Sequence, residues 1–513
     1  MTSNPLSEGE RLRAAPPSCA LVVFGGSGDL AHRKIVPALY NLELNNMLPQ
    51  GFAMLGVSRT RFSDEEYRRD MRKAVEEFSR TQPVEDTVWD AFAGRLFYEP
   101  GSTTEADTFR RIGARLDAFD EDLGTAGNRI FYLSTLPRLF PEIINGVGAA
   151  GIGGRTYKGG VSRVVVEKPF GHDLRSALEL AEIVNDVFAE PDVFRIDHYL
   201  GKESVQNIIA LRFANGIFEP VWNHHFVDHV ELTVAESIGI EHRGAFYESA
   251  GTIRDIIQNH ALQVLALIAM EPPATFEPED VRNEKAKVLK AVHRLRPEEV
   301  DAGVVRGQYG PGWVQGTEVL GYRSEHNVAP DSVTDTYVAA RLTIDNWRWA
   351  RTPFYLRTGK RLPKRVTEVA VQFKTAPHLP FGEEADVGLE PNAIIMRIQP
   401  DEGILLKFAA KVPGPAMAVR SVNMDFSYDT SFAGDLPDAY ERLLLDVMLG
   451  DPTLFPRRDE VEQAWEIIQP ILDRWAQAPG QDGLAFYESG TWGPEAGERL
   501  IASDAPGRRW RRP

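Results

Sequence analysis

A buried-type strand running into a glycine turn and then a helix constrains this chain more than any other feature. Ala20-Leu21-Val22-Val23-Phe24 is a continuous apolar run, as expected of a strand covered on both faces. It leads straight into Gly25-Gly26-Ser27-Gly28-Asp29-Leu30-Ala31, after which Ile35, Leu39 and Leu42 recur on one helical stripe. Gly26-x-Gly28-x-x-Ala31 fits the dinucleotide fingerprint. Glycines let the backbone approach a pyrophosphate, and the helix N-terminus offers free N–H groups. The candidate cofactor contacts are therefore Gly25, Gly26, Ser27, Gly28, Asp29 and Leu30. No Gly-Lys-Ser/Thr follows, so this is not a P-loop. A tight turn of purely structural purpose is the alternative. Asp29 is expected to cap the helix, and Pro37 to kink it or mark its first turn.

The second strand, Phe52 to Val57, ends in Ser58-Arg59-Thr60. An acid at this point would bond a ribose 2′-hydroxyl, whereas a guanidinium suits a 2′-phosphate. Arg59 therefore favours NADP over NAD, by about 1.5–3 kcal/mol for a charge-assisted contact; the alternative is a surface arginine. Ser63-x-x-Glu66 reads as a capping box opening a charged helix. Further strands are expected at Asn128 to Ser134 and at Ser162 to Val166. The latter ends in Glu167-Lys168-Pro169-Phe170-Gly171. Ligands of open α/β sheets bind beyond such strand ends, and the residue before proline is held extended, so Lys168 is a candidate ligand. The alternation predicts an α/β, Rossmann-like, doubly wound domain over residues 19–197 behind a flexible tail, 1–18.

Residues 195–203, Arg-Ile-Asp-His-Tyr-Leu-Gly-Lys-Glu, pack Asp197, His198, Tyr199 and Lys202 into six positions. A solvated turn or a ligand site would both explain that density. The stretch Gly251 to Met270 predicts one helix, with Ile253, Ile256, Ile257, His260, Val264 and Leu267 on its stripe and Asp255 off it. From Thr336 onward, five strand patterns without intervening helices predict a mainly antiparallel sheet. A basic loop, 357–365, lies among them. The second domain, 198–513, is thus expected to be a larger α+β unit. The basic C-terminus, 508–512, is expected to be frayed or docked.

At 513 residues two domains are the prior. A net charge of −17 argues against nucleic acid or anionic membrane as partners, so any anion site must be a local basic pocket. A single cysteine, Cys19, excludes an intramolecular disulfide and a cysteine-based zinc cage. The longest mostly apolar run, 261–270, is about half a membrane span. The first 18 residues lack an apolar signal core, and the cytosol is the expected compartment.

Five motifs in order then carry a resemblance: Gly-Gly-Ser-Gly-Asp-Leu-Ala (25–31), Glu-Lys-Pro-Phe-Gly (167–171), the nine residues 195–203, Arg-Asp-Ile-Ile-Gln-Asn-His (254–260) and Leu-Pro-Asp-Ala-Tyr-Glu-Arg-Leu (436–443). The chain resembles the glucose-6-phosphate dehydrogenase family over nearly its whole length. The resemblance implies oxidation of glucose 6-phosphate at C1 with hydride transfer to NADP, the first step of the oxidative pentose phosphate pathway. It implies that His260 is the general base and that Asp197 orients its imidazole. His198, Tyr199 and Lys202 would bind the phosphate, and Lys168 would touch substrate and cofactor. Glu236 and Asp255 would bond sugar hydroxyls, Lys360 and Arg365 would complete the pocket, and Arg59 would meet the 2′-phosphate. No metal is expected, and a homodimer or homotetramer is. Two departures stand out. The eighth residue of the glycine motif, often lysine in the family, is His32. Val366 and Ala370 replace two basic residues of a second, structural NADP site found in some relatives, although Arg397 and Lys407 remain; that site is expected to be absent or weak. The alternatives are a related sugar or sugar-phosphate dehydrogenase and a catalytically silent NADP-binding sensor.

Overall fold

Buried apolar runs pair into sheets because an unpaired backbone cannot be taken out of water cheaply. In the computed structural model they form two. The structure describes residues 15–378, 380, 389–415, 417–431, 437–477 and 483–513. Residues 1–14 of the expected tail, and Leu436 of the last motif, lie outside these. Packing divides the chain into two units: residues up to Gly171 with Arg175–Gly201 and Pro437–Arg458, and His172–Leu174 with Lys202–Leu436 and Asp459–Pro513. No helix among the described residues is long and apolar enough to cross a membrane.

The first unit holds β1 (Cys19–Phe24), β2 (Phe52–Ser58), β3 (Leu96–Pro100), β4 (Arg129–Leu133), β5 (Ser162–Val166) and β6 (Val193–Arg195). Their order is β3-β2-β1-β4-β5-β6 and all five pairings are parallel. The order reverses between β1 and β4, which makes their C-terminal ends the crevice where such sheets bind ligands. Pro37 sits in the first turn of the helix Val36–Leu44, which continues a π-helical turn, Ala31–Ile35. The capping box forms as expected, with Glu66 N–H on Ser63 Oγ and Ser63 N–H on Glu66 Oε2. Asp29 differs from expectation. Its carboxylate makes no cap; it pairs with Arg33 one turn on, because Asp29 already lies inside the first helical turn.

Periodicity divides the chain once, at 197/198, but packing divides it more often. The helix Ala439–Leu449 is held in the first unit by polar ties. Asn41 Nδ2 donates to Glu441 Oε1 at 3.0 Å, Arg80 forks onto both Glu441 oxygens, and Lys34 pairs with Asp438 at 2.8 Å. Glu441 is 3% exposed, so its charge is tolerated only because it is fully paired.

The second unit holds β7 (Val227–Ala235), β8 (Val304–Val314), β9 (Thr317–Val319), β10 (Tyr337–Leu342), β11 (Phe354–Gly359), β12 (Val366–Phe373), β13 (Ala393–Gln399), β14 (Gly403–Lys411), β15 (Val419–Ser427) and β16 (Leu484–Ser489). The path is β15-β14-β13-β12-β7-β11-β10-β8-β16, with β9 beside β8. Only β7–β11 and β8–β16 are parallel, so the sheet is mainly antiparallel. The basic loop is shorter than expected, because residues 357–359 belong to β11, a strand the sequence patterns did not predict. Arg357 lies within β11, 1% exposed, with its guanidinium 4.6 Å from the Trp510 ring centroid and 4.9 Å from that of Trp492. A buried arginine between two indoles breaks the apolar signature of a strand. The same contact docks the C-terminus: Arg357 donates to the Arg511 carbonyl, and Arg511 pairs with Glu368.

The largest correction concerns the helix carrying His260. It is not one α-helix. Gly251, at φ 63°, breaks it; a π-helix then runs Ile253–Ala261 before an α-helix, Leu262–Ala269.

The glycine turn sets a stability test. A Cβ on Gly26 would lie 2.5 Å from the Gly56 Cα, a backbone atom that cannot swing away. Gly26→Ala should cost about 1–3 kcal/mol by overpacking, read as a lower midpoint in urea unfolding; an unchanged midpoint would show that β1 and β2 can separate freely.

Candidate active site

At the C-terminal edge of the parallel sheet the backbone turns sharply after β1. Gly25 has φ 88°, and a Cβ there would meet the Ser134 carbonyl oxygen at 2.1 Å. Gly25 and Gly26 both donate to the Val57 carbonyl, at 2.8 and 3.2 Å, tying the turn to the end of β2. Tyr67 donates to the Gly26 carbonyl at 3.0 Å, through the space left by Gly56.

From the turn a chain of hydroxyls runs outward. Tyr98 donates to the Thr60 carbonyl at 2.9 Å and stands 2.7 Å from Ser58 Oγ, which is 2.7 Å from Ser27 Oγ. Arg59 is exposed between Ser58 and Thr60. At the switch point, Ser134 Oγ and Thr135 Oγ1 are shielded from solvent with no partner among the described residues. Buried hydroxyls of that kind normally find a hydrogen bond. With glycines where a side chain would block approach, these residues fit a dinucleotide. The sequence assigned no role to Ser134 or Thr135, although their place just after a strand was the available signal, and none to Tyr98, which lies within β3. His32 does not face outward as a lysine would. Its Nδ1 meets the Gly28 carbonyl at 2.8 Å and its Nε2 meets Asp70 at 2.8 Å.

Lys168 and the cluster beginning at Asp197 follow neighbouring strands, β5 and β6. Ile196 N–H bonds the Val166 carbonyl at 2.9 Å, which keeps the ends level. The Lys168–Pro169 bond is cis. Asp197 is 2% exposed and accepts the Tyr199 N–H at 3.0 Å, so the cluster is a built turn. The His198 and Tyr199 rings stand edge to face, 5.1 Å apart. Glu167 is buried beside Lys168, and its Oε1 accepts from Tyr132 at 2.6 Å and from Tyr440 at 3.2 Å. Burial pushes the Glu167 carboxyl up to about 7, against the two phenols and Lys168 that pull it down.

In the second unit, Glu236 follows β7 and Lys360 follows β11, and the two form an ion pair. Backbone bonds lock their turns together: Glu236 N–H on the Gly359 carbonyl and Leu362 N–H on the Glu236 carbonyl, both at 3.0 Å. The Lys360 ammonium lies 5.1 Å from the Tyr247 ring centroid. Burial, and then Asp255, Asp335 and Glu236, raise the Tyr247 phenol far above its ordinary value. Tyr247 and Asp335 carried no signal in the sequence. The π-helix changes the relation of Asp255 to His260. Its i→i+5 geometry stacks residues five apart, as an α-helix stacks residues four apart. Asp255 and His260, 8% and 1% exposed, thus share a side, which α-periodicity denied. Lys202 opens the helix Glu203–Phe213 and donates to Gln399 Oε1. Arg365 is exposed, unlike the buried Lys360. Val366 and Ala370 are core residues, Arg397 pairs with Asp425, and Lys407 pairs with Glu390.

A six-stranded parallel sheet in this order, with a glycine turn at its switch point, defines a dinucleotide-binding domain. Two family models match: "Glucose-6-phosphate dehydrogenase, NAD binding domain" over residues 22–207, and "Glucose-6-phosphate dehydrogenase, C-terminal domain" over 209–511. Glucose-6-phosphate 1-dehydrogenase 2 of Mycobacterium tuberculosis is 48% identical over 99% of this chain and 98% of its own length. Glucose-6-phosphate 1-dehydrogenase of Aggregatibacter actinomycetemcomitans is 46% identical, over 97% and 98%. A solved glucose-6-phosphate dehydrogenase in complex with its substrate glucose-6-phosphate superposes with a TM-score of 0.87 at 32% identity, covering 98% of this chain and all of the other. The enzyme from Mycobacterium avium gives 0.80 at 37%, covering 97% and 99%. The chain belongs to the glucose-6-phosphate dehydrogenase family.

Glu167 gives a pH test. Its folded pKa lies above the ordinary 4.5, so its contribution is present at low pH and lost as pH rises through about 7. The stability of the parent relative to Glu167→Gln should therefore fall between about pH 5 and about pH 8. Urea unfolding of both proteins measures this, and a pH-independent difference would refute the raised carboxyl.

Proposed function

We propose that the protein oxidises D-glucose 6-phosphate at C1 to 6-phospho-D-glucono-1,5-lactone with NADP as the acceptor, opening the oxidative pentose phosphate pathway in the cytosol. The observation that carries this reading is the buried His260 on the same side of a π-helix as Asp255, together with Lys360 of the same unit, which pairs with Glu236 and lies against the Tyr247 ring. Bound NADP would supply the hydride acceptor. Hydride leaves C1 readily only as the C1 hydroxyl loses its proton, and His260 is the group proposed to take it. Asp197 is proposed to hold that imidazole in the productive tautomer and to stabilise the imidazolium. His198, Tyr199 and Lys202 supply donors for a dianionic phosphate, which needs several at once. In a chain of net charge −17 they are a local exception. Glu236 and Asp255 are proposed to accept from sugar hydroxyls, Lys360 and Arg365 to complete the pocket, and Lys168 to contact both sugar and cofactor. Arg59 is proposed to meet the 2′-phosphate, with Gly25 to Leu30 around the pyrophosphate. A homodimer or homotetramer is proposed from the family alone.

His260→Asn should fold, retain glucose 6-phosphate binding and lose about 10²–10⁴-fold in kcat. Turnover near the parent's would overturn the assignment of the base. Arg59→Ala should raise KM for NADP by about 10–10²-fold, the equivalent of one charge-assisted contact, and leave KM for NAD nearly unchanged. Equal effects on both would remove the 2′-phosphate role.

A further inference from the structure

A π-helix is normally a single-turn bulge. Here it extends over nine residues, Ile253–Ala261, so groups outside the helix must hold it. Its N-terminal amides need acceptors, as at any helix start. One residue, 82 positions downstream, provides two. Ile253 N–H donates to Asp335 Oδ2 at 2.9 Å, and Thr252 N–H donates to the Asp335 backbone carbonyl at 2.9 Å. The same carboxylate fills the space over Gly251, where a Cβ would lie 2.5 Å from Asp335 Oδ1. Gly251, at φ 63° and ψ 174°, is a conformation that side chains resist. Asp335 is 7% exposed, a costly place for a carboxylate unless it accepts such donors.

The next residue ties the other side. Thr336 accepts the Lys360 N–H on its carbonyl at 3.0 Å, and Tyr487 donates to the Lys360 carbonyl at 2.7 Å. Two consecutive residues therefore join the helix bearing Asp255 and His260 to the turn bearing Lys360. Nothing in the apolar stripe of 253–267 selects i→i+5 over i→i+4 bonding, whereas Asp335 fixes where the first two amides point.

We propose that Asp335 is a positioning residue for the oxidation. Its carboxylate and carbonyl set the register of the π-helix, so that Asp255 and His260 present themselves together. This rests on the reading of His260 as the base. The sugar-binding turn and the base are then mechanically one piece, and loss of the Asp335 acceptor displaces the base without touching the glycine turn.

Asp335→Ala should lower kcat roughly 10²-fold, as a displacement of about 1 Å does, while NADPH affinity, read by fluorescence, stays within about twofold. Asp335→Asn keeps an acceptor for Ile253 N–H and should restore kcat to within about threefold of the parent. Hydrogen exchange at Thr252 and Ile253 should speed up in Asp335→Ala only, a readout independent of turnover. If Asp335→Ala does not fold, Gly251→Ala tests the same contact by pushing the carboxylate away, with the same loss of kcat expected. A folded Asp335→Ala or Gly251→Ala enzyme with parental kcat overturns the proposal, as does equal loss in Asp335→Ala and Asp335→Asn. His260→Asn is assayed alongside. If it keeps turnover, the base reading fails, whatever Asp335 does; if it is inactive while Asp335→Ala is parental, only the positioning role fails.

Discussion

Backbone meets backbone where β1 ends. Gly26 lies against Gly56 so closely that neither can carry a side chain: a Cβ on the first would strike the second, and a Cβ on the second would strike the Tyr67 phenol. Tyr67 uses that space to bond the Gly26 carbonyl. This pair of glycines fixes how the turn leaves the sheet. It thereby brings Ser27 within hydrogen-bond reach of Ser58 and Thr60 and opens the crevice between β1 and β4. The candidate dinucleotide site is therefore a property of sheet packing first and of side chains second.

A second layer of buried polar groups stands behind that edge. Glu441 locks the helix Ala439–Leu449 onto Asn41 and Arg80, and the same helix sends Tyr440 to Glu167. Tyr132 reaches Glu167 from β4. The residue beside Lys168 is thus held from two directions. Removing one partner from such a network leaves a buried charge or phenol unpaired, which costs more than the bond itself contributes. This accounts for the polar residues Asp438, Tyr440 and Glu441 at the start of this helix.

The second unit solves a different problem, holding several carboxylates and cations out of water at once. Lys360 is 1% exposed and is balanced by Glu236. Asp335 is balanced by amides at a helix start, with Arg254 adding to them, while burial raises its carboxyl. Arg357 is covered by two indoles and satisfied in part by the chain's own C-terminus. Each group is affordable only in its final surroundings, so the polar pocket and the core around it form together.

Much of this was legible in the residues alone. The strand, glycine turn and helix at 20–42 stood out because apolar runs and glycines report local backbone demands, and the five parallel pairings followed the expected alternation. The strands at 393–399 and 403–411 were legible for the same reason. Other features were decided by tertiary structure. Arg357 hid a strand, because a charge reads as surface until two tryptophans from elsewhere cover it. The helix Ala439–Leu449 buries Leu443, Leu444, Val447 and Met448 and adds polar ties, and periodicity can assign neither to a partner. Above all, the sequence by itself determined that His260 and Asp255 lie on one helical segment with an apolar stripe. Only the tertiary structure decided that they share a side, because nothing in the stripe selects four- or five-residue bonding, whereas an acceptor 82 residues away fixes where the first amides point.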